Sequence, residues 1–285
     1  MSRIAYVDGR YLPHARAKVS IEDRGYQFAD GVYEVCEVKD GKLVDERRHL
    51  ARLERSLREL RIAQPMSWAA LGVVMRETVR RNRVIDGIVY VQITRGTAPR
   101  EFQFPHATVR PTVVVTARNS DIARLDKLAE DGAAVVTVPD IRWQRVDIKS
   151  VSLLPNVLAK QAAREQGARE AWLVDKNGFI TEGASSNAWI VTRDGKLLTR
   201  ALGTGILPGI TRSVLLDLIA DQGIEFEERA FTVTEAYAAR EAFVTSASQT
   251  VMPVVTIDGR SVGNGAPGLI ATAFRRDFRR YTSIS

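Results

Sequence analysis

The sequence predicts a protein of two domains that combine helices and strands. Its 285 residues are more than one domain usually contains. In the first part of the chain, runs of predicted strands are interrupted by few helices, which favours an α+β domain over an alternating parallel sheet. Residues 119–124 are polar, lack a hydrophobic period and are predicted to form a linker. We therefore expect a small α+β domain at residues 1–118 and a larger α/β domain at residues 125–285.

The first domain is predicted to be rich in strands. Apolar and alternating runs place these strands at residues 4–7, 31–39, 42–44, 87–94 and 112–117. A helix is predicted where leucines recur at helical spacing, at positions Leu50, Leu53, Leu57 and Leu60. A second helix is predicted at residues 66–83. Asp40-Gly41 is a dipeptide typical of a two-residue hairpin turn.

The second domain is predicted to contain eight strands and four helices. Its strands are predicted at residues 133–139, 170–175, 179–181, 188–191, 196–199, 225–229, 242–246 and 252–257. Its helices are predicted at residues 156–166, 210–222, 234–239 and 267–281. Asn177-Gly178 is a strong hairpin signal, and the strand that follows it leads directly to Glu182.

The composition favours a cytoplasmic globular protein. Hydrophobic residues make up 45% of the chain and charged residues 26%, which suits a substantial core. No apolar run approaches the roughly 20 residues of a membrane span, and the N-terminus lacks the apolar segment of a signal peptide. Cys36 is the only cysteine, so no intrachain disulfide can form and a reducing compartment fits.

The formal net charge of +7 does not by itself indicate a nucleic-acid partner. The basic residues alternate with acidic ones along predicted helices, a pattern typical of solvated helix faces. No aromatic-basic stripe, zinc-ligand spacing or recognition helix accompanies them. We therefore expect neither nucleic acid nor a metal ion as a partner.

Lys149 stands where an unpaired lysine would be costly, between a predicted apolar strand and a predicted helix. Glu182 follows in what is predicted to be a small-residue loop between two further apolar strands. A lysine and a glutamate buried at opposite ends of a cleft suit a pyridoxal phosphate enzyme. The amine forms a Schiff base with the cofactor, and the carboxylate holds a proton on its pyridine nitrogen.

Several motifs together carry a resemblance to a known family. They are EDRGYQFADGVYEV at 22–35, TRGTAPR at 94–100, DIKS at 147–150, TEG at 181–183 and GITR at 209–212. In this order they resemble the class IV aminotransferases of the fold-type IV pyridoxal phosphate enzymes, and in particular the D-amino acid transaminases. The resemblance extends from residue 4 to about residue 260. It implies that the larger domain binds the cofactor, which would lie between the two domains.

By position, Lys149 resembles the lysine that forms the Schiff base in this family. A free lysine, with a pKa of about 10.4, is a poor base at neutral pH. Once displaced from the imine, its neutral amine can move protons at Cα and C4′. Glu182 resembles the carboxylate that pairs with the pyridine nitrogen and so makes the ring an electron sink.

The resemblance also implies a phosphate site formed by Arg52, Ile210, Thr211, Ser246 and Ala247. Arg52 matches the family's phosphate-binding arginine, whose fork suits a bidentate contact. Ile210 and Thr211 open a predicted helix, where free amides and the helix dipole attract an anion. Ser246 and Ala247 complete the predicted cup. The family usually has a threonine at the position of Ala247, so only a backbone amide can serve there.

Tyr33, Arg100 and Phe102 occupy the positions of the family's carboxylate trap, which in D-amino acid transaminases consists of a tyrosine, an arginine and a histidine. Tyr33 and Arg100 match, and Phe102 replaces the histidine. Arg100 retains the main charge-assisted interaction, of about 1.5–3 kcal/mol, so we expect weaker carboxylate binding or altered specificity and not a lost reaction. Alternatively, Phe102 is an aromatic residue that anchors its loop.

The resemblance predicts a transaminase that moves an amino group between D-amino acids and 2-oxo acids by a ping-pong mechanism. D-Alanine and 2-oxoglutarate, giving pyruvate and D-glutamate, are the expected pair. A homodimer is implied because the arginine loop comes from the neighbouring subunit in this family. Phe102 leaves an (R)-amine transaminase open. Tyr33 and Arg100 argue against a branched-chain aminotransferase or an aminodeoxychorismate lyase, and the full set of matched residues argues against a non-catalytic cofactor-binding protein.

Overall fold

The computed structural model describes residues 3–284, apart from the side chains of residues 221, 222, 283 and 284. The described residues form two compact units. The first unit contains the chain up to Asp121 together with Ile148–Ser152. The second unit contains Ile122–Asp147 and Leu153–Ile284. The short segment that carries Lys149 therefore belongs to the first unit.

The first unit is built on an antiparallel sheet. Its described strands are β1 Ile4–Val7, β2 Arg10–Pro13, β3 Gly31–Lys39, β4 Lys42–Leu43, β5 Gly87–Thr94 and β6 Thr112–Asn119. They are paired in the order β2-β1-β6-β5-β3-β4. The helices of this unit are α1 Arg24–Phe28, α2 Glu46–Glu59 and α3 Trp68–Asn82, and a 3-10 turn spans His14–Arg16.

One face of this sheet is covered by α2 and α3. Alternate residues of β3 point to that face, where Val32, Cys36 and Val38 are buried. Leu53 and Leu57 of α2 meet them from the opposite side of the same core. The period of two along the strand and the helical spacing of the leucines thus define one apolar layer.

Asp40 and Gly41 form the predicted turn between β3 and β4. Their φ angles of 49° and 75° are both positive, as a type I′ turn requires. Lys39 pairs with Lys42 across the turn. The predicted hairpin is therefore confirmed.

The second unit contains a larger mixed sheet. Its described strands are β7 Ala133–Pro139, β8 Glu170–Val174, β9 Phe179–Gly183, β10 Asn187–Val191, β11 Leu197–Thr199, β12 Phe226–Glu228, β13 Phe231–Thr232, β14 Glu241–Ser246, β15 Thr250–Ile257 and β16 Arg260–Ser261. They follow the order β12-β11-β10-β14-β15-β7-β8-β9-β13, and β16 pairs with β15. The helices are α4 Ile122–Asp131, α5 Leu154–Glu165, α6 Ile210–Gln222, α7 Val233–Ala238 and α8 Leu269–Ile284.

Helices cover this sheet where its strands are most apolar. α6 packs against β14, and α8 packs against β14 and β15. The rings of Trp189, Phe243 and Phe274 meet in the core below them. β10 is buried along its whole length, as expected for a central strand covered on both faces.

Several elements differ from the prediction. β2, α1, β13 and β16 were not predicted, because each is short. α4 was not predicted either, although Ile122, Leu125 and Leu128 follow a helical spacing. α4 begins at Ile122, within the polar stretch predicted as a linker, and only Ala129 of this helix is buried. Glu182 lies within β9 and not in a loop, so that prediction was wrong. The small-residue loop follows at residues 184–186.

Two kinds of feature are absent from residues 3–284. No helix in this range is long and apolar enough to cross a membrane. Within the same described range, no group of three or more His, Cys, Asp and Glu side chains is arranged to hold a metal ion.

Candidate active site

Lys149 lies on a segment that runs back against β3 in the first unit. The amide of Tyr33 donates to the carbonyl of Lys149 at 3.0 Å, and the amide of Val151 donates to the carbonyl of Gly31 at 3.0 Å. These bonds fix the backbone on both sides of the lysine. Lys149 is half-buried, less than the sequence suggested, and its Nζ lies 4.3 Å from the centroid of the Tyr33 ring. The predicted catalytic lysine and the predicted substrate tyrosine are therefore in contact.

Tyr33 is held in turn by Tyr90 of β5. The two rings stack with their centroids 5.6 Å apart. The hydroxyl of Tyr90 donates to Oε1 of Gln92 at 2.7 Å. Burial raises the pKa of Tyr90 to about 12, so this hydroxyl stays protonated at neutral pH. The orientation of Tyr33 is thus set by its stacked neighbour as well as by its strand.

Behind Tyr33, a buried carboxylate joins β3 to α2. Glu34 points into the core and is 1% exposed. Nε and Nη2 of Arg52 each donate to one of its oxygens at 2.8 Å, a bidentate pair. Nδ1 of His49 lies 2.8 Å from Oε2 of Glu34. Since an ionised carboxylate only accepts hydrogen bonds, Nδ1 carries the proton.

These contacts determine the charges of the cluster. Burial alone would raise the pKa of Glu34, but the Arg52 charge and the hydrogen bonds from Arg52 and His49 lower it to about 2. Burial lowers the pKa of His49, although its hydrogen bond to Glu34 works in the opposite direction. At neutral pH the cluster is therefore an ion pair with a neutral histidine beside it.

Glu182 is the corresponding buried carboxylate of the second unit and is 4% exposed. Nη1 of Arg142 donates to its Oε1 at 2.5 Å. Nδ2 of Asn187 donates to its Oε2 at 2.9 Å, and the amide of Leu207 lies 3.1 Å from Oε2 and 3.2 Å from Oε1. A cation and two neutral donors thus stabilise a negative charge on Glu182.

Arg142 is shared between two carboxylates. Its Nε and Nη2 donate to Asp140 at 2.9 Å and 2.8 Å, while its Nη1 donates to Glu182. Burial opposes the charge of Arg142, but its bonds to Asp140 and the charges of both acids outweigh this cost and raise its pKa. The bond from Arg142 also lowers the pKa of Asp140 against the effect of burial. Arg142 therefore remains charged and fixes Glu182 in place.

Asn187 connects Glu182 to the start of α6. Its Nδ2 also donates to the carbonyl of Leu207 at 3.0 Å. Its Oδ1 lies so close to Gly209 that a Cβ built there would be 2.0 Å away. A side chain at Gly209 would therefore displace the Asn187 amide from its bonds to Glu182 and Leu207. Because Asn187 pairs with Thr245 across β10 and β14, the end of β14 lies at the same edge of the sheet.

The predicted phosphate residues of the second unit lie on segments near this edge. Ile210 and Thr211 form the first turn of α6, and Thr211 is buried. The capping residue, Gly209, supplies no side-chain hydrogen bond to the free amides of that turn. Ser246 ends β14, next to Thr245, and Ala247 begins the turn that follows. Both segments therefore lie close to Asn187, which pairs with Thr245 and donates to the carbonyl of Leu207.

Arg100 and Phe102 lie on the exposed loop between β5 and β6. The Cζ atom of Arg100 lies 4.8 Å from the centroid of the Phe28 ring. Phe102 is 87% exposed, and its ring lies 5.7 Å from that of Phe28. In the described part of the chain, no hydrogen bond or ring contact joins Arg100 to Tyr33.

Comparisons with known proteins identify the family. The model of the family described as amino-transferase class IV matches residues 31–257. A D-alanine aminotransferase of Bacillus licheniformis is 42% identical over 261 residues, covering 92% of this chain and 90% of that protein. The chain belongs to the class IV aminotransferase family. A D-alanine aminotransferase of Staphylococcus haemolyticus is 40% identical, with coverage of 97% and 96%.

The fold of this class IV aminotransferase is also found among solved structures. A branched-chain aminotransferase from the thermophilic archaeon Thermoproteus uzoniensis, solved with norvaline, matches with a TM-score of 0.87 at 27% identity. The match covers 99% of this chain and 95% of that structure. A hypothetical aminotransferase from Mycobacterium tuberculosis, solved in a PLP-bound form, matches with a TM-score of 0.83 at 24% identity and covers 98% of each chain. The predicted fold class is therefore confirmed.

Sequence reasoning missed several residues of this class IV aminotransferase. Glu34, His49, Arg142 and Asn187 were not singled out. A signal for Glu34 was present, because strand alternation places it on the same face as Val32 and Cys36, where a charge needs a partner. Arg142 and Asn187 gave no comparable signal, since their partners are distant in sequence and become neighbours only in the fold.

Proposed function

We propose that this class IV aminotransferase transfers amino groups between D-amino acids and 2-oxo acids, with pyridoxal 5'-phosphate as its cofactor. D-Alanine and 2-oxoglutarate are the proposed pair. The observation that carries the proposal is the buried, ion-paired carboxylate Glu182, bonded through Asn187 to the turn that precedes α6. The two D-alanine aminotransferases at 42% and 40% identity support the choice of D-substrates.

The residues of the second unit fit a phosphorylated pyridine. Oγ of Ser246 is buried and has no hydrogen-bond partner among the described residues. A buried hydroxyl without a partner is costly unless a ligand supplies one. The first turn of α6 presents the amides of Ile210 and Thr211, which can donate to a phosphate group. We assign the phosphate to Ser246, Ala247, Ile210 and Thr211.

Each charged residue then has a separate task. Pyridoxal phosphate, when bound, supplies an aldehyde that condenses with amines and a ring that accepts the electrons released at the substrate Cα. Glu182 holds a proton on the ring nitrogen, and Arg142 keeps Glu182 charged. Nζ of Lys149 carries the cofactor and then moves the proton from the substrate Cα. Arg100 and Tyr33 bind the substrate carboxylate.

Arg52 is proposed as a further phosphate ligand, with one restriction. Two of the five N–H donors of its guanidinium are engaged by Glu34 in the structure. Arg52 therefore reaches a phosphate only through donors that Glu34 does not use. The ion pair gives the guanidinium a fixed orientation, which favours a directed contact.

A homodimer is part of the proposal. Arg100 is exposed on its loop, and the first unit also exposes large apolar side chains at Ile21, Tyr26 and Phe102. Exposed apolar groups of this size are typical of surfaces that another protein covers. We propose that this loop contributes to the active site of the neighbouring subunit.

Mixing the inactive variants Lys149→Ala and Arg100→Ala should then restore activity, because hybrid dimers regain one complete site. If activity does not recover after subunit exchange has been verified, the proposal of a shared site is contradicted.

The proposed reaction is tested on the purified holoenzyme. Pyruvate formation from D-alanine and 2-oxoglutarate is followed, with L-leucine and (R)-1-phenylethylamine as competing amino donors. We expect D-alanine to react and to shift the absorbance of the bound cofactor, and L-leucine to do neither. Preferred turnover of L-leucine would identify a branched-chain aminotransferase, and preferred turnover of the amine an (R)-amine transaminase. Either result overturns the proposal.

A further inference from the structure

Phe28 is the centre of a small cluster on the surface of the first unit. It is the last residue of α1 and is half-buried. The guanidinium carbons of Arg24 and Arg100 lie 4.7 Å and 4.8 Å from the centroid of its ring. The ring of Phe102 lies 5.7 Å away and is tilted by 48°. One aromatic ring thus contacts two arginines and the residue that replaces the family's histidine.

The Phe28 ring is the principal restraint on Arg100. Within residues 3–284, the Arg100 side chain makes no hydrogen bond or ion pair. A long exposed arginine without such contacts would sample many rotamers, and fixing it at the moment of binding would weaken the affinity for substrate. A ring contact limits these rotamers and uses none of the five N–H donors, which remain available for a carboxylate.

Phe28 is itself held at a defined place relative to the loop. Arg24 is 3% exposed, its Nε donates to Asp30 at 2.8 Å, and its Nη1 donates to the carbonyl of Glu101 at 2.6 Å. Arg24 therefore bonds directly to the residue that follows Arg100. Nε and Nη2 of Arg95 donate to Oδ2 and Oδ1 of Asp30, at 2.7 Å and 3.0 Å. The buried Arg24 thus joins α1, which carries the ring, to the loop that carries Arg100.

We propose that Phe28 is a positioning residue that holds the guanidinium of Arg100 ready for the substrate carboxylate. It acts through Arg100 and does not touch the reacting atoms. Its contribution is therefore limited to substrates that carry a carboxylate next to the amine. This inference rests on the proposed role of Arg100. It adds to that role a reason why the trap can work without the histidine, because the Phe28 ring restrains the Arg100 guanidinium and leaves its N–H donors available.

The inference is tested by exchanging the ring for an aliphatic side chain and for another ring. Phe28→Leu keeps an apolar group but loses the π face, and Phe28→Tyr keeps the face. For Phe28→Leu we expect KM for D-alanine to rise about three- to tenfold with little change in kcat, as the loss of the cation–π contact with Arg100 implies. The inhibition constant of propionate, a carboxylate without an amine, should rise by the same factor. Phe28→Tyr should restore both values to near those of the wild type.

Two controls separate positioning from general destabilisation. Tyr11→Leu removes a comparable contact of the first unit, where Cζ of Arg81 lies 4.2 Å from the Tyr11 ring, and should leave KM and the propionate constant unchanged. The cofactor dissociation constant of Phe28→Leu should equal that of the wild type. Unchanged values for D-alanine and propionate in Phe28→Leu would overturn the inference, as would an equal loss in Phe28→Tyr. A wild type that does not convert D-alanine overturns the proposed function instead.

Discussion

Arg142 and Glu182 form a buried ion pair in the second unit, with 2.5 Å between Nη1 and Oε1. Both side chains are nearly inaccessible, at 5% and 6% exposure. A buried charge is stable only while its partner remains, so the pair acts as one unit. Arg142 is also held by two hydrogen bonds to Asp140. The geometry therefore keeps Glu182 charged and immobile.

Removing one member of this pair should destabilise the protein. For Arg142→Met we expect the free energy of unfolding to fall by about 3–5 kcal/mol, because the charge of Glu182 remains buried without its cation. The double variant Arg142→Met/Glu182→Gln should lose less than the sum of the two single variants. Urea unfolding of the four proteins measures this coupling. Strictly additive losses would show that the two side chains do not stabilise each other.

Lys149→Ala should abolish turnover and leave the cofactor bound only noncovalently. Borohydride reduction of the wild-type holoenzyme, followed by peptide mapping, should place the label on Lys149. Lys160 is a suitable control, since its Nζ is already engaged by the carbonyl of Arg169 at 2.6 Å and lies 3.3 Å from Glu170. Lys160→Ala should therefore keep both label and activity. A label on Lys160 would show that the catalytic lysine is wrongly assigned.

Acid should destabilise the first unit through Glu34. Its folded pKa of about 2 lies below its ordinary value of 4.5, so the unfolded chain takes up the proton first as the pH falls. The stabilisation is complete above about pH 5 and is lost toward pH 2, a change on the order of 3 kcal/mol. His49 acts in the same direction, because its folded pKa lies below its ordinary 6.5 and protonation favours the unfolded chain.

Urea unfolding between pH 7 and pH 3 tests this dependence. Glu34→Gln should be less stable than the wild type at pH 7, since the Arg52 charge is left unpaired, and its stability should change less between pH 5 and pH 3. Glu54→Gln, on the exposed face of α2, is the matched control and should follow the wild type. If the stability of Glu34→Gln depends on pH in the same way as that of the wild type, the Glu34–Arg52 pair is not the cause of the acid sensitivity.

Part of this site was predictable because its signals are local. The spacing of Leu53 and Leu57 predicts α2, and Asp40-Gly41 predicts its hairpin, since both patterns depend on neighbouring residues. Lys149 and Glu182 stood out as charged residues beside apolar segments, and their separate roles followed from a resemblance to a family. The Arg142 pair could not be predicted, because forty residues separate the partners and their contact depends on the pairing of β8 with β7 and β9.

Phe102 was interpreted in two ways from the sequence, and its position in the structure makes them testable. Its side chain is 87% exposed and its ring lies 5.7 Å from that of Phe28, so replacing it leaves no internal cavity. A surface substitution of this kind usually changes stability by about 0.5 kcal/mol or less. Effects on catalysis can therefore be attributed to the loop and to the trap it carries.

Phe102→His should restore the donor that the carboxylate trap lacks. We expect KM for D-alanine to fall by up to about tenfold, the value of one modest hydrogen bond. Phe102→Ala is the control that removes the ring without adding a donor, and it should not lower KM. Arg100→Ala should raise KM for D-alanine, because it removes the full positive charge of the trap, and this effect should be far larger than that of either Phe102 variant. Steady-state kinetics with D-alanine, D-glutamate and (R)-1-phenylethylamine compare the four proteins. If Phe102→His and Phe102→Ala change KM equally, the side chain at this position does not bind the carboxylate. Phe102 then contributes only to the conformation of its loop.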